Sequence, residues 1–327
     1  MTDIDLTMRD IYSARARIAP IARKTPLVSS PELAELTGSE ITLKLENLQE
    51  TGSFKPRGAA NKLLSLDPGA RQRGVITVSS GNHGRALAYV AHRLGLRAVV
   101  CLSDTVPANK RDAIQKLGAE VVIRGSTYDE AAKEAYRLVE KEGLEMIHPY
   151  DDPVIIAGQG TIGLELLEEF PDLDTVVVPL SGGGLLGGIA FALKSADPGI
   201  HVVGVMMERG PAMVESLRAG RVVDIVEEPT LADALAGGIK PNKYTFELIQ
   251  KTVDETVLVS EQEIAAAMAF ALECHHLVVE GGGAVGIAAL RSGKLQHLGE
   301  HVAVVISGAN VDMPLLLRVA QDHLDGR

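Results

Sequence analysis

With 327 residues, 46% of them hydrophobic, the chain is long enough for two core-forming units in one subunit. Its 43 acidic against 32 basic residues give a formal net charge of −11, which opposes phosphate backbones and anionic lipid surfaces. No run nears the roughly 18 apolar residues of a bilayer span, so nucleic acid and membrane are excluded as expected partners and a cytoplasmic location is expected.

Taken in chain order, the first informative stretch is Glu46–Ala59, where Pro56 suits the first turn of a helix and leaves Lys55 at a loop-to-helix junction. A strand over Val75–Val78 runs into Ser79-Ser80-Gly81-Asn82-His83-Gly84, and the spacing of Leu87, Ala91 and Leu94, closed by Gly95, predicts a helix after it. Further strands are predicted over Ala98–Leu102, Val121–Ile123, Thr175–Val178, His201–Val205 and His301–Ile306, with a helix through Ile264, Met268 and Leu272. Near-continuous apolar strands joined by helices imply an α/β fold of two open, mostly parallel twisted sheets flanked by helices. Residues 51–150 form one self-sufficient series, the expected small domain; 1–50 and 151–327 form the large one, with ligand in the cleft between them. Cys101 and Cys274 lack metal spacing and read as buried, inert thiols.

Three loops at predicted strand ends carry the chemistry. Ser181 to Gly188, with Gly182, Gly183 and Gly184 in succession, lets the chain wrap closely while the following helix presents unpaired N–H groups to an anion. The Lys of a P-loop is missing, which suits a permanently cradled phosphate. Gly182, Gly184 and Gly187 also satisfy a dinucleotide fingerprint, with Glu208 about twenty residues on, so a nicotinamide-dependent dehydrogenase is a rival reading. Gly281, Gly283 and Gly286 satisfy the same pattern without a following acid, which shows its low specificity. At Lys55 the helix dipole opposes a cation, and a neutral amine is what Schiff-base chemistry requires.

Ser53-Phe54-Lys55-Pro56-Arg57-Gly58, Ser79 to Gly84, Gly158-Gln159-Gly160-Thr161, the Gly182 loop and Ser307-Gly308-Ala309-Asn310 together resemble the threonine/serine dehydratase and serine racemase group of fold-type II pyridoxal-phosphate enzymes. The match runs in order over nearly the whole chain, which is far more specific than either glycine pattern. The resemblance implies pyridoxal 5'-phosphate as cofactor, with Lys55 as its covalent anchor and as the base that removes the substrate Cα proton. It implies Phe54 beside the ring, Asn82 on the 3-hydroxyl, Gly182, Gly183, Gly184 and Leu185 on the phosphate, Glu280 near the ring and Ser307 at the pyridine nitrogen. It implies Ser79, Ser80, Gly81 and His83 at the substrate carboxylate, Ser80 on the face opposite Lys55, and His83 orienting the loop. A homodimer or higher homo-oligomer follows from the same resemblance.

Several positions depart from the group. Met206 and Ala212 stand where carboxylates usually hold a divalent cation, so no metal is expected there unless Glu208 substitutes. Tyr150 stands where racemase-like members tend to have Asn, and so joins the expected substrate site. Ala234 and Ala309 each replace a common Gly and reshape the substrate side. The run Met207 to Met213 resembles the dehydratases of hydroxyectoine breakdown, while hydroxyaspartate, serine and threonine fit the pattern as well. The expected activity is removal of water from a small 3-hydroxy amino acid, giving a 2-oxo acid and ammonia, with a racemase on the same scaffold as the alternative.

Overall fold

The computed structural model describes residues 5–226, 228–239 and 244–326. Its strands in chain order are β1 (Leu27–Ser29), β2 (Glu40–Lys44), β3 (Val75–Thr77), β4 (Ala98–Leu102), β5 (Glu120–Ile123), β6 (Glu145–Met146), β7 (Thr175–Pro179), β8 (His201–Met207), β9 (Glu255–Val259) and β10 (His301–Val305). They form a six-stranded sheet ordered β1-β2-β10-β7-β8-β9 and a four-stranded sheet ordered β5-β4-β3-β6. Every pairing is parallel except β1 with β2, so the fold is the α/β pair of mostly parallel sheets that the apolar runs predict.

The central strands are buried on both faces. Val177 of β7 and Val304 of β10 face each other in register, both fully buried, and Leu43 of β2 completes the row. The elements that escape a reading of apolar runs have local reasons to do so. β1 and β6 span only three and two residues, β9 is a half-exposed edge strand, and β2 carries Lys44, a cation that is nonetheless fully buried. Leu277 to Glu280 forms no strand, so the second glycine fingerprint opens a helix with no strand before it. Cys101 is buried, with burial pushing its thiol up to about 12, whereas Cys274 is only half-buried on the last turn of its helix.

Parallel strands put the loops after β3, β7 and β10 at the carboxyl ends of their sheets, where they meet the Lys55 segment. That segment is stitched to the loop after β10 by a bridge between Ser53 and Gly308 and by Phe54 N–H donating to the Ser307 carbonyl at 3.1 Å. Behind Lys55, the Pro56–Ser65 helix crosses the Pro153–Glu169 helix at two glycines. A Cβ on Gly158 would stand 2.7 Å from the Arg57 carbonyl oxygen and 2.7 Å from the Gly58 Cα, both backbone atoms that cannot swing aside. Gly158→Ala should therefore force the two helices apart and lower unfolding stability by about 1–3 kcal/mol, the usual cost of overpacking. Denaturant unfolding monitored by circular dichroism measures it, as a lower midpoint than that of the parent chain.

Candidate active site

A cleft of about 1050 Å³ opens where the strand-end loops converge. Its walls include Phe54, Lys55, Ser79, Ser80, Gly81, Asn82, His83, Tyr150, Gly182, Gly183, Gly184, Leu185, Glu280 and Ser307, so every residue singled out for the site from the sequence borders one space.

Lys55 immediately precedes the Pro56–Ser65 helix, with Pro56 in its first turn. Its Nζ donates to the Pro149 carbonyl at 2.9 Å and lies 5.0 Å from the centre of the Phe54 ring. Burial lowers the amine from 10.5 to about 8, opposed by the negative field of Glu280. The position at the head of a helix is the one anticipated, and desolvation is the leading influence on the amine. On the far side, Glu280 caps no helix with its side chain although it precedes the Gly281–Arg291 helix. It is buried, which pushes its carboxyl up to about 7 against the stabilising hydrogen bond from Asn82 Nδ2 at 2.7 Å.

Asn82 belongs to the helix Asn82–Arg93 as its first residue, and its side chain serves the cleft instead of capping. Asn310 Nδ2 donates to Asn82 Oδ1 at 2.6 Å and to the Thr51 carbonyl at 2.8 Å, while Asn310 N–H donates to Glu280 Oε2 at 3.1 Å. Arg85 Nη1 donates to Asn310 Oδ1 at 2.8 Å. Asn310 is thus the hub that connects the loops after β3 and β10 with the Lys55 segment. Its motif was visible in the sequence, but its own role was not, because a hub is defined by long-range partners.

Gly183 has φ of +90°, and no side chain caps the Gly184–Ala196 helix that follows. The first-turn N–H groups of that helix therefore face the cleft without a protein side chain to satisfy them, an arrangement that favours an anion. Close approach by Tyr150 enforces the glycines: a Cβ on Gly182 would lie 2.6 Å from the Tyr150 ring, and one on Gly184 2.9 Å from the Tyr150 carbonyl. The Tyr150 ring also meets His148 edge-on, with centroids 4.7 Å apart. His148 Nδ1 accepts from the backbone N–H groups of Tyr150 and Asp151 at 3.2 and 2.8 Å, so the neutral imidazole carries its proton on Nε2.

His83 is buried with Nε2 3.1 Å from the Ile147 carbonyl, and burial together with the nearby Lys55 lowers it to about 3. It stays neutral and holds the serine loop in place. Gly84 makes that loop possible, since a Cβ there would lie 2.0 Å from the Ser79 carbonyl. Ser307 is buried, and its carbonyl anchors Phe54. Ala234 and Ala309 line the cleft. Glu208 accepts from Lys294 Nζ at 3.2 Å, and among the described residues no group of three His, Cys, Asp or Glu gathers around a cation site.

The chain contains the features that a phosphorylated aldehyde cofactor requires: a depressed lysine amine and an uncapped glycine helix end in one cleft. Residues 18–308 match the family described as pyridoxal-phosphate dependent enzyme. The chain is 52% identical over 312 residues to a putative threonine dehydratase of Sinorhizobium fredii, covering 95% of this chain and 94% of that protein. It is 46% identical over 319 residues to an L-threonine ammonia-lyase of Thermotoga maritima, covering 98% of this chain and 79% of the other. Among solved structures, maize serine racemase superposes with a TM-score of 0.92 at 32% identity, covering 98% of each chain. These similarities span nearly the whole chain, and with the geometry of the cleft they establish that the protein belongs to the family of pyridoxal-phosphate dependent enzymes.

Proposed function

We propose that the enzyme is an ammonia-lyase that removes water from a small 3-hydroxy amino acid and releases a 2-oxo acid and ammonia. The observation that carries this reading is the Lys55 amine, lowered to about 8 by burial and facing the same cleft as the serine loop and the uncapped glycine turn. Similarity to a threonine ammonia-lyase and a putative threonine dehydratase supports the reaction class.

In this reading Lys55 holds the cofactor covalently, Gly182, Gly183, Gly184 and Leu185 hold its phosphate, and Phe54, Asn82, Glu280 and Ser307 surround its ring. When bound, pyridoxal phosphate supplies the electron sink that makes a Cα proton removable. Ser79, Ser80, Gly81 and His83 bind and orient the substrate carboxylate, and Tyr150 closes the phosphate side of the cleft. The freed Lys55 amine takes the Cα proton, which a neutral amine does and an ammonium cannot. The 3-hydroxyl would leave as water with a proton returned by the Lys55 ammonium so formed, which balances the loss of one water and gives the unsaturated amine that hydrolyses to 2-oxo acid and ammonia. The neutral Ser307 hydroxyl provides no anion to hold a proton on the cofactor nitrogen, which favours elimination over transamination.

A racemase is the second reading. Ser80 borders the cleft, and maize serine racemase has the same fold. The finer proposals concern the substrate and assembly. The Met207 to Met213 run and the methyl groups of Ala234 and Ala309 in the lining support a hydroxy amino acid of hydroxyectoine breakdown. The exposed side chains of Leu48, Val278, Met313 and Leu317 are available for a homodimer contact in the cytoplasm. The small domain is proposed to be 51–150, with Ile18, Ile21 and Ala22 of the preceding segment packed into its core.

Incubation with a panel of L-3-hydroxy amino acids in D2O separates the two readings. Ammonia and 2-oxo acid should form faster than any D-enantiomer; D-enantiomer outpacing ammonia on every substrate turned over would make the enzyme a racemase. Lys55→Ala should lose at least about a thousandfold in turnover while keeping its circular dichroism spectrum, because anchor and base go together. The negative field of Glu280 raises the Lys55 amine. Glu280→Gln removes that field, so the amine becomes neutral at lower pH and the midpoint for cofactor capture should move down the pH scale, measured by absorbance growth after mixing cofactor-free enzyme with pyridoxal phosphate.

A further inference from the structure

Two residues beyond Lys55, Arg57 is 1% exposed. All five of its N–H donors are used. Nε and Nη2 donate to Glu46 Oε2 and Oε1, each at 2.8 Å, and Nη1 and Nη2 donate to Glu165 Oε1 and Oε2 at 2.6 and 2.8 Å. The remaining Nη1 proton reaches Thr161 Oγ1 at 3.1 Å. Lys44, fully buried, donates to Glu165 Oε2 at 2.7 Å and to the Thr25 carbonyl at 2.7 Å. Two cations and two carboxylates therefore form a closed cluster whose formal charges cancel. Glu169, 29% exposed, lies farther from Lys44 at 3.6 Å and pairs with Lys24 at 3.2 Å.

Such a cluster is a poor way to gain stability, because desolvating four charges costs about as much as their attraction returns and apolar replacements are often neutral or better. Its geometry offers another reason. Glu46 lies in the turn just after β2, which carries Lys44; Glu165 and Thr161 lie on the Pro153–Glu169 helix, itself packed on the Gly184–Ala196 helix. One planar guanidinium thus ties the first turn after Lys55 to the six-stranded sheet through one fork and to the helix behind the glycine loop through another. Gly58 and Gly158 bring the two helices close enough for the Glu165 fork to close. None of the four cluster charges figures among the influences that set the Lys55 amine, which are burial and Glu280.

We propose that Arg57 is a positioning residue, which fixes Lys55 relative to the glycine loop through its two carboxylate forks and acts by geometry, not by charge. The inference rests on Lys55 being the cofactor anchor, as proposed above. Arg57→Lys keeps the charge and abolishes the forks; Thr161→Val removes one acceptor and leaves every charge in place. The expected result for Arg57→Lys is a roughly ten- to hundredfold loss in kcat with KM within about threefold. The cofactor-free full chain should capture pyridoxal phosphate more slowly by a similar factor, with the pH midpoint of capture unchanged. Thr161→Val should shift the same quantities in the same direction by less, and decides the matter if Arg57→Lys does not fold. A folded variant that captures the cofactor at the parent rate, or losses that track only the unfolded fraction, would overturn the proposal, as would a moved pH midpoint, which would mean action through charge. Capture at parent pH dependence with no elimination from any hydroxy amino acid would instead sink the ammonia-lyase reading and leave the positioning role standing.

Discussion

Withdrawal of one amine from water is the constraint on which the rest of the site depends. A lysine in water keeps its proton at any physiological pH, and no arrangement of neighbours makes it a useful base or nucleophile while it does. The protein gives Lys55 a carbonyl acceptor at Pro149 and an aromatic neighbour at Phe54 on the wall of the cleft, where the residue is half-buried. Those partners would steady an ammonium, so burial must outweigh them for the amine to be lowered, and it does. Glu280 pulls the other way and is itself pushed up by burial to about 7, so both groups are displaced toward neutrality from their ordinary values.

Holding this arrangement takes backbone more than side chains. Around the site a Cβ would collide with the Ser79 carbonyl from Gly84, with the Arg57–Gly58 backbone from Gly158, with Tyr150 from Gly182 or Gly184, and with Glu280 from Gly308. Parallel strands deliver all of these loops to the same side, and Asn310 joins them by hydrogen bonds to Asn82, Thr51 and Glu280. Among the polar groups that border the cleft are the N–H groups at the Gly184–Ala196 helix start, the serine hydroxyls and the lysine amine. An anion, a carboxylate and an aldehyde carbon are their chemical complements.

Much of this was legible in the sequence, for a physical reason. Buried parallel strands have apolar runs whatever their partners, and close approaches demand glycine, so β4, β7 and β10 and the glycine turn announce themselves locally. Lys55 was recognisable from its setting between a loop and Pro56. What could not be read depends on partners far along the chain. Lys44 and Arg57 look like ordinary surface cations until Glu165, more than a hundred residues away, closes the cluster around them. Asn310 likewise acquires its meaning from Asn82 and Glu280, and the edge strand β9 is too exposed to look like a core strand. The depressed amine was anticipated from the helix end alone, because a helix start is visible in a sequence, whereas the desolvation that lowers the amine is a property of the folded cleft.

If burial sets the state of Lys55, its amine loses the proton well below the range of a solvated lysine, so that a neutral fraction is present at physiological pH. Lysine NMR of the cofactor-free enzyme, with the Lys55 resonance assigned by its loss in Lys55→Met, measures the titration directly. A midpoint near 8 is expected. A midpoint at the 10.5 of a solvated lysine would contradict it.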